Sequence, residues 1–253
     1  MTLRLTELVR DLDELLAPRN WHDYAPNGLQ VQGREEVRTI VTGVTASLEL
    51  IERAAAAGAD TIVVHHGWFW KGEDARIVGV KQRRVARLLA AGINLIAYHL
   101  PLDGHPNVGN NAQIAQRLGV ENAVQFGEQN LAWCADLTEP CGVEAMTERL
   151  QTLFSRAPLV VGPANKTIRR AAWCSGAAQD MIEEAAAMGA DCFISGEISE
   201  RTTHIARELR IPYFSCGHHA TERFGIQALG RWMADRWSDR DLSVTYIDVD
   251  NPV

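Results

Sequence analysis

Residues 51–66 read IERAAAAGADTIVVHH. Its alanine-rich opening carries a helix pattern that predicts a helix over 49–57, and Gly58 supplies the residue that most readily ends one. Residues 61–64 are β-branched and wholly apolar, as a strand covered on both faces is. A second such run, TIVTGV at 39–44, precedes the helix, so the local unit is strand, helix, strand. Downstream the same reading predicts a helix over 81–91 closed by Gly92, a strand at 93–98, and a helix over 110–118 closed by Gly119. That alternation is the rhythm of an α/β fold with a mainly parallel sheet.

The rhythm returns. Strands are expected at 170–174, 192–195, 212–216 and 244–249, and helices at 181–188, 203–208 and 219–234. The segment IEEAAAMGAD (182–191) matches IERAAAAGAD (51–60) at eight of ten positions, at a constant offset of 131. Alanine-rich helices match by chance, but the shared Gly-Ala-Asp ending, followed in both by an apolar strand, favours duplication. At that offset His66 falls on Glu197. The expected architecture is two interlinked, duplicated α/β halves, 1–123 and 169–253, with mainly parallel sheets and helices packed around them. Between them lies a connecting segment, 124–168, with Pro140, Pro158 and Pro163 and no clear strand–helix–strand pattern.

Composition bounds the function. Of 253 residues 46% are hydrophobic and 23% charged, which is ordinary for a globular chain. No apolar run approaches the ~18 residues a membrane span requires. The opening MTLRLTELVRDLDELLAP reads as an amphipathic helix rather than a signal peptide. Five cysteines with no CxxC argue against a disulfide framework or a thiolate zinc site. Cys174, Cys192 and Cys216 read as buried small hydrophobes, and a reduced cytoplasmic location is expected. The net charge of −7, with no basic run richer than Lys81, Arg83 and Arg84, argues against direct nucleic-acid contact. A nucleotide as a small-molecule substrate stays open.

The histidines are clustered. Five of eight directly follow apolar strands, in VVHH, AYH and SCGHH. Ligands of open α/β sheets bind beyond the carboxyl ends of strands. A lone histidine there reads as a satisfied structural residue; His65 and His66 together, with two more such strand ends, read as metal ligands. Asp103 follows His99 by four residues in what Pro101 predicts to be an irregular loop, where a carboxylate can bridge two ions. His99 reads as a residue orienting a ligand or substrate, and His105 as either ligand or structural. His218 and Glu222 sit one turn apart on one helix face. His219 points ~100° away, which makes it the alternative rather than the favoured ligand. Three imidazoles and two carboxylates are too many for one structural zinc and suit two divalent ions roughly 3.5–4 Å apart. The mixed nitrogen and oxygen donors favour zinc, iron or manganese.

The segments DYAPNGLQV (23–31), VTGVTAS (41–47), ADTIVVHHGWFWKGE (59–73), HLPLDGHPNVGNN (99–111), SGEISE (195–200), GHHATERFG (217–225) and YIDVDNP (246–252) resemble one family across the whole chain. It is the family of type 2 homologues of GTP cyclohydrolase I, also called the Ngg-one-interacting-factor-three family, in its short bacterial form. The resemblance implies two interlinked α/β halves, a toroidal homohexamer, and His65, His66, Asp103, His218 and Glu222 as ligands of two metals. It also implies opening of the guanine ring of GTP by water. Trp68, Trp70 and Lys71 then become candidate substrate contacts, against core or subunit-interface packing as the alternative. Glu197 is a candidate proton carrier beside His99, or a helix N-cap. GPANKT (162–167) only weakly imitates a phosphate loop. The alternative to a hydrolase is a non-catalytic metal-binding ring: a scaffold, a metal-delivery protein or a regulator.

Overall fold

The β-branched runs fold as the strands of two separate sheets. The computed structural model describes residues 2–253. The chain divides into one unit that runs up to Val108 and resumes over Gly225–Asp250, and a second that spans Gly109–Phe224 with Asn251–Val253.

In chain order, the first unit begins with β1 (Leu3–Arg4), α1 (Leu5–Leu16), β2 (Gly28–Val31), β3 (Glu36–Val37), β4 (Thr39–Thr45) and α2 (Leu48–Ala56). It continues with β5 (Thr61–His66), α3 (Gly79–Ala91), β6 (Asn94–Ala97) and α4 (Leu100–Gly104). The second unit holds α5 (Asn110–Leu118), β7 (Val124–Phe126), β8 (Ala132–Gly142), α6 (Val143–Phe154), β9 (Leu159–Val161) and β10 (Thr167–Cys174). It ends with α7 (Ile182–Ala187), β11 (Cys192–Ser195), α8 (Glu200–Glu208) and β12 (Tyr213–Ser215). Then α9 (His218–Arg236) starts in the second unit and continues in the first, where β13 (Ser243–Tyr246) also lies. Among the described residues, no helix is long and apolar enough to cross a membrane.

The sheet of the first unit has the order β13-β4-β5-β6-β2; its first four strands are parallel, and β2 closes one edge antiparallel to β6. The sheet of the second unit has the order β7-β8-β10-β11-β12-β9, with a parallel centre, β10-β11-β12, flanked by antiparallel strands. The central strands are buried on both faces, which is why they read as unbroken apolar runs. In the first unit α1 lays Leu5, Leu8, Leu12 and Leu16 against Ile40, Val63 and Ile96. In the second, Met146, Leu150 and Phe154 of α6 pack with Trp173, Ile194 and Phe214. The amphipathic reading of the first helix and the burial of Cys174, Cys192 and Cys216 both hold.

The repeat noticed in the sequence is a repeat of structure. Ile40 pairs with Thr61 across β4 and β5, and Ala171 with Cys192 across β10 and β11, at the same offset. The aspartates that close the two matching segments do the same work. Asp60 Oδ2 accepts from the backbone N–H groups of Arg38 and Thr39 at 2.8 and 3.0 Å. Asp191 Oδ2 accepts from those of Arg169 and Arg170 at 2.9 and 3.1 Å. Asp60 ties the end of its helix-to-strand turn to the start of β4, and Asp191 ties its own to the register shift within β10.

Two local expectations need correction. Residues 100–104 are a short helix, α4, not an irregular loop. Pro101 sits in its first turn, where the missing N–H has no intrahelical acceptor to lose. The segment 124–168, read as connecting, supplies β7, β8, α6 and β9 to the second unit. Its eleven-residue strand β8 pairs antiparallel, so it carries none of the strand–helix–strand rhythm by which the rest was read.

Candidate metal centre

In the first unit, β5 ends on His65, fully buried, and His66, half-buried. The neighbouring strand ends hold both rings. His65 Nδ1 lies 3.0 Å from the Tyr98 carbonyl oxygen, just past β6. A carbonyl only accepts, so Nδ1 carries the proton and Nε2 keeps its lone pair. His66 Nδ1 lies 3.2 Å from the Thr45 hydroxyl on β4, its register partner. On α4, Asp103 Oδ2 stands 3.5 Å from His65 Nε2.

His99 joins this group. Its ring centroid is 5.2 Å from that of His65 and 5.7 Å from that of His66, and the three offer nitrogens within 4.8 Å of one another. Asp23 fixes its orientation: His99 Nδ1 donates to Asp23 Oδ1 at 2.9 Å. The His99 N–H donates to Asn27 Oδ1 at 2.7 Å, and Asn27 Nδ2 returns to Asp23 Oδ2 at 2.9 Å. Burial pushes the Asp23 carboxyl up, but hydrogen bonds from His99 and Asn27 outweigh it and hold the group at about 2. The sequence reading singled out neither Asp23 nor Asn27 for the site. Their presence in the family-like segment DYAPNGLQV was the signal available.

In the second unit, β12 leads through Gly217 into α9, whose first residue is His218. His218 Nε2 is 3.1 Å from Glu222 Oε2, the pairing the four-residue spacing predicts, and His218 rather than His219 makes it. Glu197, just past β11, accepts from His218 Nδ1 at 2.6 Å. The N-cap of α8 is Ser199, which forms a capping box with Thr202, so Glu197 caps no helix. Burial alone would lower the His218 pKa; the carboxylates of Glu222 and Glu197 overcome it and raise the group to about 9. A positive charge, proton or metal, is therefore favoured between them. Gly176, just past β10, leaves the room: a Cβ there would overlap Glu222 Oε1 and stand 3.3 Å from His218 Nε2.

The remaining candidates separate. Trp68 is core: 4% exposed, packed with Leu50, Ile62 and Leu88, its indole N–H donating to the Ala46 carbonyl at 2.9 Å. Trp70 is half-buried, 5.0 Å ring to ring from His99 and 6.0 Å from His66. Lys71 is exposed. His105 is a turn residue, its Nδ1 accepting from the N–H groups of Asn107 and Val108 at 3.1 Å each. His204 makes a surface pair with Glu200. The donor set fits divalent ions. With Nδ1 held, Nε2 is the atom that His65, His99 and His218 each leave to meet an ion, and carboxylates lie beside two of them.

The model of one family, Duf34/NIF3 (NGG1p interacting factor 3), matches residues 3–252. The chain belongs to that family. Relatives of this NIF3-family chain include the GTP cyclohydrolase 1 type 2 homolog of Vibrio cholerae, 52% identical over 96% of each chain. The protein of the same name in Escherichia coli K12 is 46% identical over 99% of this chain and 100% of its own. Among solved structures, protein ybgI, described as of unknown function, superposes with a TM-score of 0.92 at 46% identity, covering 99% of this chain and 100% of that one. A Thermus thermophilus protein superposes with 0.88 at 31% identity over 99% of both. Reduced HcgD from Methanocaldococcus jannaschii, at 22% identity and a TM-score of 0.85, shares the fold.

Proposed function

We propose that this NIF3-family chain is a cytoplasmic dinuclear metal protein that hydrolyses a nucleotide or related heterocycle. Its ligands would be His65, His66, Asp103, His218 and Glu222. The observation that carries the reading is the treatment of the imidazoles. The Nδ1 atoms of His65, His66, His99 and His218 are engaged by a carbonyl, a hydroxyl and two carboxylates, respectively at 3.0, 3.2, 2.9 and 2.6 Å. Proteins hold the far nitrogen of a metal-ligating histidine in this way to fix its tautomer and direction.

Bound divalent ions supply Lewis acidity and lower the pKa of a coordinated water. The chain's own residues do the rest. Asp23 keeps the His99 ring aligned beside His65 and His66, where its free nitrogen can take or give a proton. Glu197 holds His218 in the orientation that meets Glu222. The name carried by the relatives supports a nucleotide as the substrate. The ring of six copies implied by the sequence resemblance completes the reading, and light scattering reads it directly.

Metal content per chain of freshly purified protein is the first test, for the wild type and for Asp103→Ala and His218→Ala. We expect about two equivalents, falling in both variants while the circular dichroism spectrum is kept. Metal-dependent consumption of GTP, lost in Asp103→Ala, would then support the reaction. A full metal complement with no nucleotide consumed would point to the scaffold or delivery reading. Protein that stays metal-free after incubation with zinc, manganese and iron would sink the site.

A further inference from the structure

Tyr24 and Trp70 are unusual for large aromatic side chains. Tyr24 is 55% exposed, yet both rings stand against the imidazole cluster of the first unit. Tyr24 lies 5.2 Å from His99 edge-on, Trp70 lies 5.0 Å from His99 at 84°, and the two aromatic rings are 5.9 Å apart, tilted by 34°. Core packing does not explain this pair, since the core indole of the same loop is Trp68.

The loop is built to present them. Trp68 is clamped on both sides by Gln30: its N–H donates to Gln30 Oε1 at 2.7 Å, and its carbonyl accepts from Gln30 Nε2 at 3.1 Å. The next residue, Phe69, has φ +66°, a left-handed conformation that a bulky side chain adopts only under constraint. That reversal sends Trp70 away from the core and back over His99. Beyond it the Lys71 N–H donates to the Tyr24 carbonyl at 2.7 Å, tying the two aromatic residues together. Glu73 secures the far side, accepting from the Trp70 N–H at 3.2 Å and pairing with Lys81 at 3.0 Å. Strain of this kind is retained at sites where a side chain must be held for a ligand.

The geometry points to Tyr24 and Trp70 as an aromatic wall that receives the flat ring of a heteroaromatic substrate beside His66 and His99. This deepens the proposed function and rests on it for the chemistry, though not for the binding. An aromatic face accepts any base, so the wall selects a planar ring over a sugar phosphate.

Isothermal titration of the full-length, metal-replete protein with guanosine and with ribose 5-phosphate tests it. We expect guanosine to bind and ribose 5-phosphate not to. Tyr24→Leu and Trp70→Leu should each weaken guanosine by roughly 5- to 150-fold, the range a stacked base commands. Metal content and solution mass should stay at their wild-type values, and Trp70→Phe should restore much of the affinity. Unchanged affinity in both leucine variants, equal binding of ribose 5-phosphate, or no binding of guanosine would overturn the wall. A fall in solution mass in the leucine variants would also overturn it, and would assign these faces to contact between copies. Guanosine discrimination that survives in protein unable to hold metal would keep the wall and remove the metal reading instead.

Discussion

Gly176 adopts φ +67° beside Glu222 and His218, and Gly58 adopts φ +73° with nothing within 4 Å of where a Cβ would be. The pair separates backbone strain from site geometry. Gly58→Ala should cost about 1–2 kcal/mol of stability, the cost of a left-handed residue with a side chain, and leave metal content alone. Gly176→Ala adds a collision with Glu222, a proposed ligand, so thermal unfolding should fall further and metal content should drop. Glu197→Gln tests the neighbouring atom: the His218 hydrogen bond loses its charge, and metal affinity by competition with a chelator should fall by about 10- to 100-fold. The His218–Glu222 pair was legible in the sequence because a helix turns spacing into position. Asp23 was not, because its bond to His99 crosses 76 residues of chain and no periodicity reports such a contact. Trp68 and Trp70 were equally opaque: they share one irregular loop, and only the reversal at Phe69 decides which is core.

At the level of elements, the two aspartate clamps can be weighed against each other. Asp60→Ala and Asp191→Ala each leave two backbone N–H groups without their carboxylate, a loss on the order of 1–3 kcal/mol. Asp60 also pairs with Arg34 at 2.7 Å, whereas the Lys166 partner of Asp191 stands at 3.7 Å, so Asp60→Ala should lower the denaturant midpoint more. Gly230 lies within α9, and a Cβ there would meet Thr42 and Val244 no closer than 3.4 Å. Gly230→Ala should therefore raise stability by up to about 1 kcal/mol, read from the same unfolding curves. The parallel strands, their helices and the repeat were readable because buried strands are unbroken apolar runs and glycines close the helices. The antiparallel flank was not: β7 and β9 are three residues each, and β8 ends in exposed positions that mimic a loop.

For the molecule as a whole, thiol chemistry reports the fold. Among the described residues, four of the five cysteines are buried and Cys141 is half-buried. Burial pushes the thiols of Cys192 and Cys216 well up, so their thiolate forms appear only at strongly alkaline pH while the fold persists. Native protein at pH 8 should release about one equivalent of thionitrobenzoate quickly from Ellman's reagent, and five after denaturation. Several fast thiols in the native state would contradict the packing of the second unit.

The path of the chain also orders its own assembly. The second unit is nearly complete once residue 224 has been made, whereas the sheet of the first still lacks β13, which pairs with β4, until residue 246. At synthesis rates of about 5–20 residues per second, the half made first waits roughly 7–30 s after Val108 with the flank of β4 unpaired. Birth order and finishing order are thus reversed, and the half most exposed to misassociation on the ribosome is the one that carries His65, His66 and Asp103.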